Sequence, residues 1–144
     1  MNPQSEMTID EILQEFDGLD SWDDRCDFLI DLGFELPDFP EEEKTEKNRV
    51  HGCQSNVWML LDTENGNGSV ISIRADSDAM IVRGLIAVLL AIYSGKTAEE
   101  ILATDVRAIF SQLGLDRHLS PMRRNGLNGM VKRIRDFAEQ TISS

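Results

Sequence analysis

Cysteine and histidine are scarce in this chain, with two of each in 144 residues. Two thiols do not make a disulfide framework in a domain of this size, which agrees with a reducing compartment. No Cys-x-x-Cys pair occurs, and His51-Gly52-Cys53 offers two donors too close in sequence to define a metal site alone. Structural zinc ordinarily takes four ligands, so no metal is expected. Long apolar runs are also missing: the longest, Gly84 to Tyr93, is too short to span a bilayer. Met1 to Thr8 lacks both a basic and an apolar segment, so no targeting peptide is visible and a cytoplasmic protein with no membrane association is expected. Positive charge is the last shortage. Lys and Arg number 14 against 26 Asp and Glu, a net charge of −12. An acidic chain repels phosphate backbones, which argues against a nucleic-acid partner.

What is present suffices for one domain, residues 1–144, with a sizeable core. The charge is uneven. Residues 1–47 hold 16 acids and 3 bases, whereas residues 115–144 hold 6 bases and 3 acids. Solubility accounts for the acidic half, and a steering surface for a basic protein is the alternative.

Thr8 and Glu11 make a capping-box pattern that opens a short helix, and Gly18 closes it. Ser21 caps a second helix, on whose apolar stripe (Trp22, Cys26, Leu29, Ile30, Gly33) Cys26 reads as a buried structural thiol. Pro37 and Pro40 end the helical region, and Glu41 to Lys47 is a charged connection. Ser55 to Asp62 and Ser69 to Ala75 read as strands joined by Asn65-Gly66-Asn67-Gly68, a hairpin signal. Residues 48–50 are candidates for a third short strand. Asp76-Ser77-Asp78 reads as the cap of a long apolar helix, Ala79 to Ser94. Thr97 with Glu100 is a second capping box, Thr104 or Asp105 starts a further helix, and Ser120-Pro121 opens the last. The fold class is α+β: a small three-stranded antiparallel sheet with helices packed on one face.

Chemistry concentrates at Cys53. A glycine precedes it, and an apolar strand follows, so the thiol sits at a junction. His51, two residues away, shares a face with it in an extended segment and can perturb its acidity. Three readings stay open on these residues: an inert thiol in a binding module, the nucleophile of a small cysteine hydrolase, and sulfur chemistry, in which a thiolate attacks sulfur.

Asn48-Arg49-Val50-His51-Gly52-Cys53-Gln54-Ser55-Asn56-Val57-Trp58 resembles the signature of the SufE family, sulfur acceptors that work with cysteine desulfurases. Leu32-Gly33 with Leu36-Pro37, Ala75 to Ala79 with Ile81 to Leu85, and Leu119 to Arg123 with Gly126-Leu127 follow in the family's order, over residues 8–138. The resemblance implies a fold shared with SufE and with iron–sulfur scaffold proteins of the IscU type. It makes Cys53 the persulfide carrier, with Gly52, Gln54, Asp76 and Arg123 as supporting residues. It further implies a SufS-like cysteine desulfurase as partner, which brings its own pyridoxal phosphate, and a SufBCD-like scaffold complex downstream. This chain would need no cofactor of its own, and would be an accessory protein that stimulates the desulfurase.

Overall fold

A computed structural model of the chain describes residues 7–51, 55–63 and 70–143. Helices α1 (Ile9–Asp17) and α2 (Trp22–Phe34) come first, followed by two 3₁₀ turns, Glu41–Glu43 and Glu46–Asn48. Strands β1 (Val57–Thr63) and β2 (Val70–Ser77) lead into α3 (Met80–Tyr93). Strand β3 (Lys96–Thr97) precedes α4 (Ala98–Ala103), α5 (Val106–Leu113), α6 (Leu115–His118) and α7 (Pro121–Ser143). The sheet has three antiparallel strands in the order β1-β2-β3, so the α+β expectation is borne out. Among the described residues no helix is long and apolar enough to cross a membrane.

Local chemistry sets the helix ends. Both capping boxes form: Thr8 Oγ1 accepts from the Glu11 N–H and Glu11 returns the bond, and Thr97 and Glu100 do the same. Asp105 caps α5, whose end is Gly114 at φ 78°, a left-handed conformation that glycine adopts without a Cβ penalty. Ser120 Oγ accepts from the Arg123 N–H at the start of α7.

The odd-numbered face of the hairpin is the inner one. Val57, Met59, Ile71, Ile73 and Ala75 are buried there, with Met59 opposite Ala75. They join the apolar face of α3 (Val82, Leu85, Ile86, Leu89) and of α7 (Leu127, Met130, Ile134) in one core. Burying a side chain of this size stabilises by roughly 1.5–3 kcal/mol. Helix α2 crosses α3 at two glycines. A Cβ on Gly84 would collide with the Leu29 carbonyl, and one on Gly33 would stand 2.9 Å from the Arg83 Cβ. Two helical backbones therefore touch where side chains would hold them apart.

Three expectations are corrected. The third strand is Lys96–Thr97, whereas the 48–50 segment contributes only an isolated bridge between Arg49 and Trp58. Gly95, at φ 80°, turns the chain back after α3, and its N–H reaches the Ile71 carbonyl at 2.9 Å, which aligns residues 96 and 97 with β2. Secondly, Asp76 and Ser77 belong to β2 and do not cap α3, which starts from Ala79 without a side-chain cap. Thirdly, Cys26 is half-buried, because its turn of α2 lies at the margin of the core. The expected hairpin turn at 65–68 lies outside the described residues.

Candidate functional site

Gly52, Cys53 and Gln54 lie outside the described residues, and the site is built from what flanks them. The Val50 N–H donates to the Val57 carbonyl at 2.8 Å, and Arg49 bridges Trp58. The chain thus leaves the sheet edge at Val50 and rejoins it at Val57.

The downstream flank is held by the end of β2. Asp78 receives the Asn56 N–H at 3.1 Å on Oδ1 and the Asn56 amide at 2.8 Å on Oδ2. Ser77, buried beneath, donates its hydroxyl to the Asn56 carbonyl at 2.7 Å. Asp76 does not share in this grip. Its Oδ1 accepts from the Ser77 N–H at 2.8 Å, and its carboxylate lies between Lys44 Nζ at 3.4 Å and Arg83 Nε at 3.3 Å. Lys44 also meets Glu41 at 2.8 Å and stands 5.3 Å over the Trp58 ring. The Glu41 hydrogen bond, aided by the charges of Asp76 and Glu41, pushes Lys44 above its ordinary pKa despite some desolvation. Asp76 therefore neutralises two cations on the outer face of the sheet.

The upstream flank lies against α7. Arg133 donates from Nη1 to the Arg49 carbonyl at 2.8 Å and from Nη2 to the Lys47 carbonyl at 3.0 Å. One turn earlier Gly129 leaves room, since a Cβ there would stand 3.4 Å from the His51 carbonyl. Asn48 is buried and donates to the Glu43 carbonyl and to Glu43 Oε1, at 2.8 and 3.0 Å. The His51 ring meets Glu46 through Nε2 at 2.8 Å, with both side chains mostly in solvent.

Arg123 reaches the region from the first turn of α7. With Met122, Gly126, Val82 and Ser55 it lines a depression of about 20 Å³, beside the downstream flank of Cys53. The neighbouring Arg124 turns to the Asp116 carbonyl at 3.2 Å, so of the two adjacent arginines it is Arg123 that lies at this depression. Arg123 also lies in the field of Cys26. Burial and then Asp23 and Asp27 push the Cys26 thiol up, and Arg123 and a Trp22 hydrogen bond only partly oppose them. Trp22 in turn stacks on His118, ring centroids 4.7 Å apart and 12° from parallel. Among the described residues no three His, Cys, Asp or Glu side chains converge as metal ligands.

The model of the SufE Fe-S metabolism associated domain matches residues 10–138. The chain belongs to the SufE family. It is 48% identical over 133 residues to an uncharacterized SufE-like protein of Rhizobium etli, covering 92% of this chain and 90% of that one. An uncharacterized SufE-like protein of Rhizobium meliloti is 44% identical over 133 residues, 92% and 95% of the two chains. The fold is similar to the solution structure of a hypothetical protein from Thermus thermophilus, with a TM-score of 0.74 at 22% identity over 96% of this chain and all of that one. Family membership associates the protein with iron–sulfur metabolism.

Of the residues expected at this SufE site, Arg123 lies beside Ser55, Asp76 faces Lys44 and Arg83, His51 faces Glu46, and Gly52, Cys53 and Gln54 lie outside the described residues. The flanks are fastened by residues the sequence does not single out for that purpose: Ser77, Asp78 and Arg133. Asp78 carries a signal, because it sits in the Asp76-Ser77-Asp78 cluster, but that cluster reads first as a helix cap. Nothing in the sequence separates Arg133 from the other bases of α7.

Proposed function

We propose that this SufE-family protein accepts persulfide sulfur on Cys53 from a SufS-like cysteine desulfurase and passes it to a SufBCD-like scaffold complex for iron–sulfur cluster assembly. The observation that supports this reading most is the geometry of the described flanks on either side of Cys53. Val50 and Val57 are bonded to each other across the sheet edge, and Arg123 lies beside Ser55 on the downstream side. A cysteine that follows Val50 and precedes Val57 in sequence, between two points fastened to the sheet edge, suits a carrier that must be met by another protein's sulfur.

The Cys53 thiolate attacks the outer sulfur of the donor's persulfide. A sulfur–sulfur bond forms to Cys53 while the donor's own sulfur–sulfur bond breaks, and the donor cysteine leaves as a thiolate that takes a proton from water. No net oxidation occurs, and the donor's freed thiol is ready for a new turnover, which is how the acceptor stimulates its partner. Pyridoxal phosphate chemistry stays within the desulfurase. Arg123 brings positive charge to the downstream flank beside Ser55, and Gly52 and Gln54 flank the carrier in sequence.

Incubation with desulfurase and cysteine, followed by peptide mass spectrometry, tests the reading. One added sulfur on Cys53, absent in Cys53→Ser, is the expected result. Sulfur on Cys26 alone, or on neither cysteine, overturns it.

A further inference from the structure

Among the described residues, Arg133 ties the upstream flank of Cys53 to α7. Arg133 points its guanidinium at two backbone carbonyls, those of Lys47 and Arg49, at 3.0 and 2.8 Å. Its donors are committed to this task. Among the described residues Arg133 enters no ion pair, and the acid nearest in sequence, Asp136, is occupied by Lys132 at 2.8 Å. Hydrogen bonds from a charged donor are roughly twice as strong as neutral ones. A planar guanidinium spans two acceptors at once, whereas an ammonium is a single point charge. Gly129 lies where the Val50–His51 backbone passes α7, with the His51 carbonyl 3.4 Å and Val50 Cγ1 3.7 Å from the place of a Cβ. The next link is the Val50 N–H to the Val57 carbonyl, the final bond across the sheet edge before the segment begins.

We propose that Arg133 is the positioning residue of the upstream stem: it locks residues 47–50 onto α7 and thereby fixes the direction from which Cys53 is presented to the sulfur donor. The second half of this statement rests on the persulfide-acceptor reading, and the first half does not. A reacting group held in one orientation gains rate that a loosely tethered one loses to unproductive positions. Arg133 touches no reacting atom. Its removal therefore acts on how often the thiol is correctly aimed, and not on how tightly the partner docks.

The test uses the full chain and its Arg133→Ala and Arg133→Lys variants. Amide hydrogen exchange reads the stem directly. Val50 should exchange at least about tenfold faster in Arg133→Ala, while Leu60 and Arg74, paired in the β1–β2 ladder, keep their protection. Arg133→Lys, able to serve one carbonyl at a time, should fall between the two. With a cysteine desulfurase, the maximal stimulated rate should drop about fivefold in Arg133→Ala at nearly unchanged KM for this protein. Unaltered Val50 exchange overturns the stem role. Loss of protection at Leu60 and Arg74 together with Val50 overturns it too, by showing a general structural role. A raised KM with unchanged maximal rate overturns the presentation role and makes Arg133 a docking residue. Absence of sulfur on Cys53 in the parent protein overturns the acceptor reading and the presentation role with it, while the Val50 exchange still decides the stem.

Discussion

Asp78 grips Asn56 with both carboxylate oxygens, one on the backbone N–H at 3.1 Å and one on the side-chain amide at 2.8 Å. The contact joins the end of β2 to the third residue after Cys53. Asp78→Ala removes both acceptors from a solvent-exposed pair and should cost about 1 kcal/mol in urea unfolding. Asp78→Asn keeps one acceptor and should cost about half as much. Equal stability of all three proteins would show that the pair contributes nothing.

Cys53→Ser should abolish sulfur acceptance and leave the unfolding midpoint unchanged. Cys26→Ser should retain acceptance, and because Cys26 is half-buried its stability cost should stay near ~0.5 kcal/mol. Intact-mass measurement after desulfurase treatment, together with thermal unfolding, checks both variants.

The two thiols should also separate by reactivity toward iodoacetamide. Desolvation and the charges of Asp23 and Asp27 push the Cys26 thiol up, so at neutral pH its thiolate fraction, and hence its alkylation rate, falls below that of an ordinary cysteine. The rate should rise only as pH passes the ordinary thiol value. Asp23→Asn with Asp27→Asn should move that rise to lower pH. A Cys26 alkylation profile that the double substitution does not move would contradict this assignment of cause.

His51 meets Glu46 at 2.8 Å, which is the orienting half of a nucleophile, base and acid arrangement. Both side chains are largely in solvent, where such a pair contributes little. His51→Ala should therefore alter Cys53 persulfidation less than about twofold. Hydrolysis of a thioester without any desulfurase, lost in both His51→Ala and Cys53→Ser, would instead favour the cysteine-hydrolase reading.

Gly84→Ala should destabilise strongly, by about 3 kcal/mol in thermal or urea unfolding, because the added methyl meets the Leu29 carbonyl and neither backbone can yield. Gly18→Ala serves as the control. Gly18 has an ordinary helical φ of −86° and only the Glu15 carbonyl near, at 3.7 Å, so its effect should be neutral or slightly stabilising.

Features whose bonds close within a few residues are legible in the sequence. Thr8 with Glu11, Thr97 with Glu100, and Ser120 before Pro121 each announce a helix start that forms as read. The alternating strands and the apolar α3 are equally plain, since burial imposes their periods. Legibility fails where a distant partner outbids the local one. Asp78 has the chemistry of a cap yet turns to Asn56, 22 residues away. Lys96 and Thr97 are too few to show a pattern, and β2 alone makes them a strand. Arg133 finds its carbonyls 84 and 86 residues upstream, beyond the reach of any helical periodicity. Cys53 itself is singled out by its neighbours in sequence, and its proposed role as a carrier stands on that motif and on the flanks.

The meeting of α2 and α3 at Gly33 and Gly84 has a mechanical consequence. Helices separated by side chains can slide, because rotamers change as ridges pass over grooves. Backbones in direct contact have no such lubricant, and the pair behaves as one stiff wedge carrying Trp22 and Cys26 on one arm and Arg83 on the other. Any motion needed to hand over a sulfur atom has to be taken up outside this pair of helices. Spin labels placed on α2 and α3 should then report one narrow distance, the same before and after a partner docks.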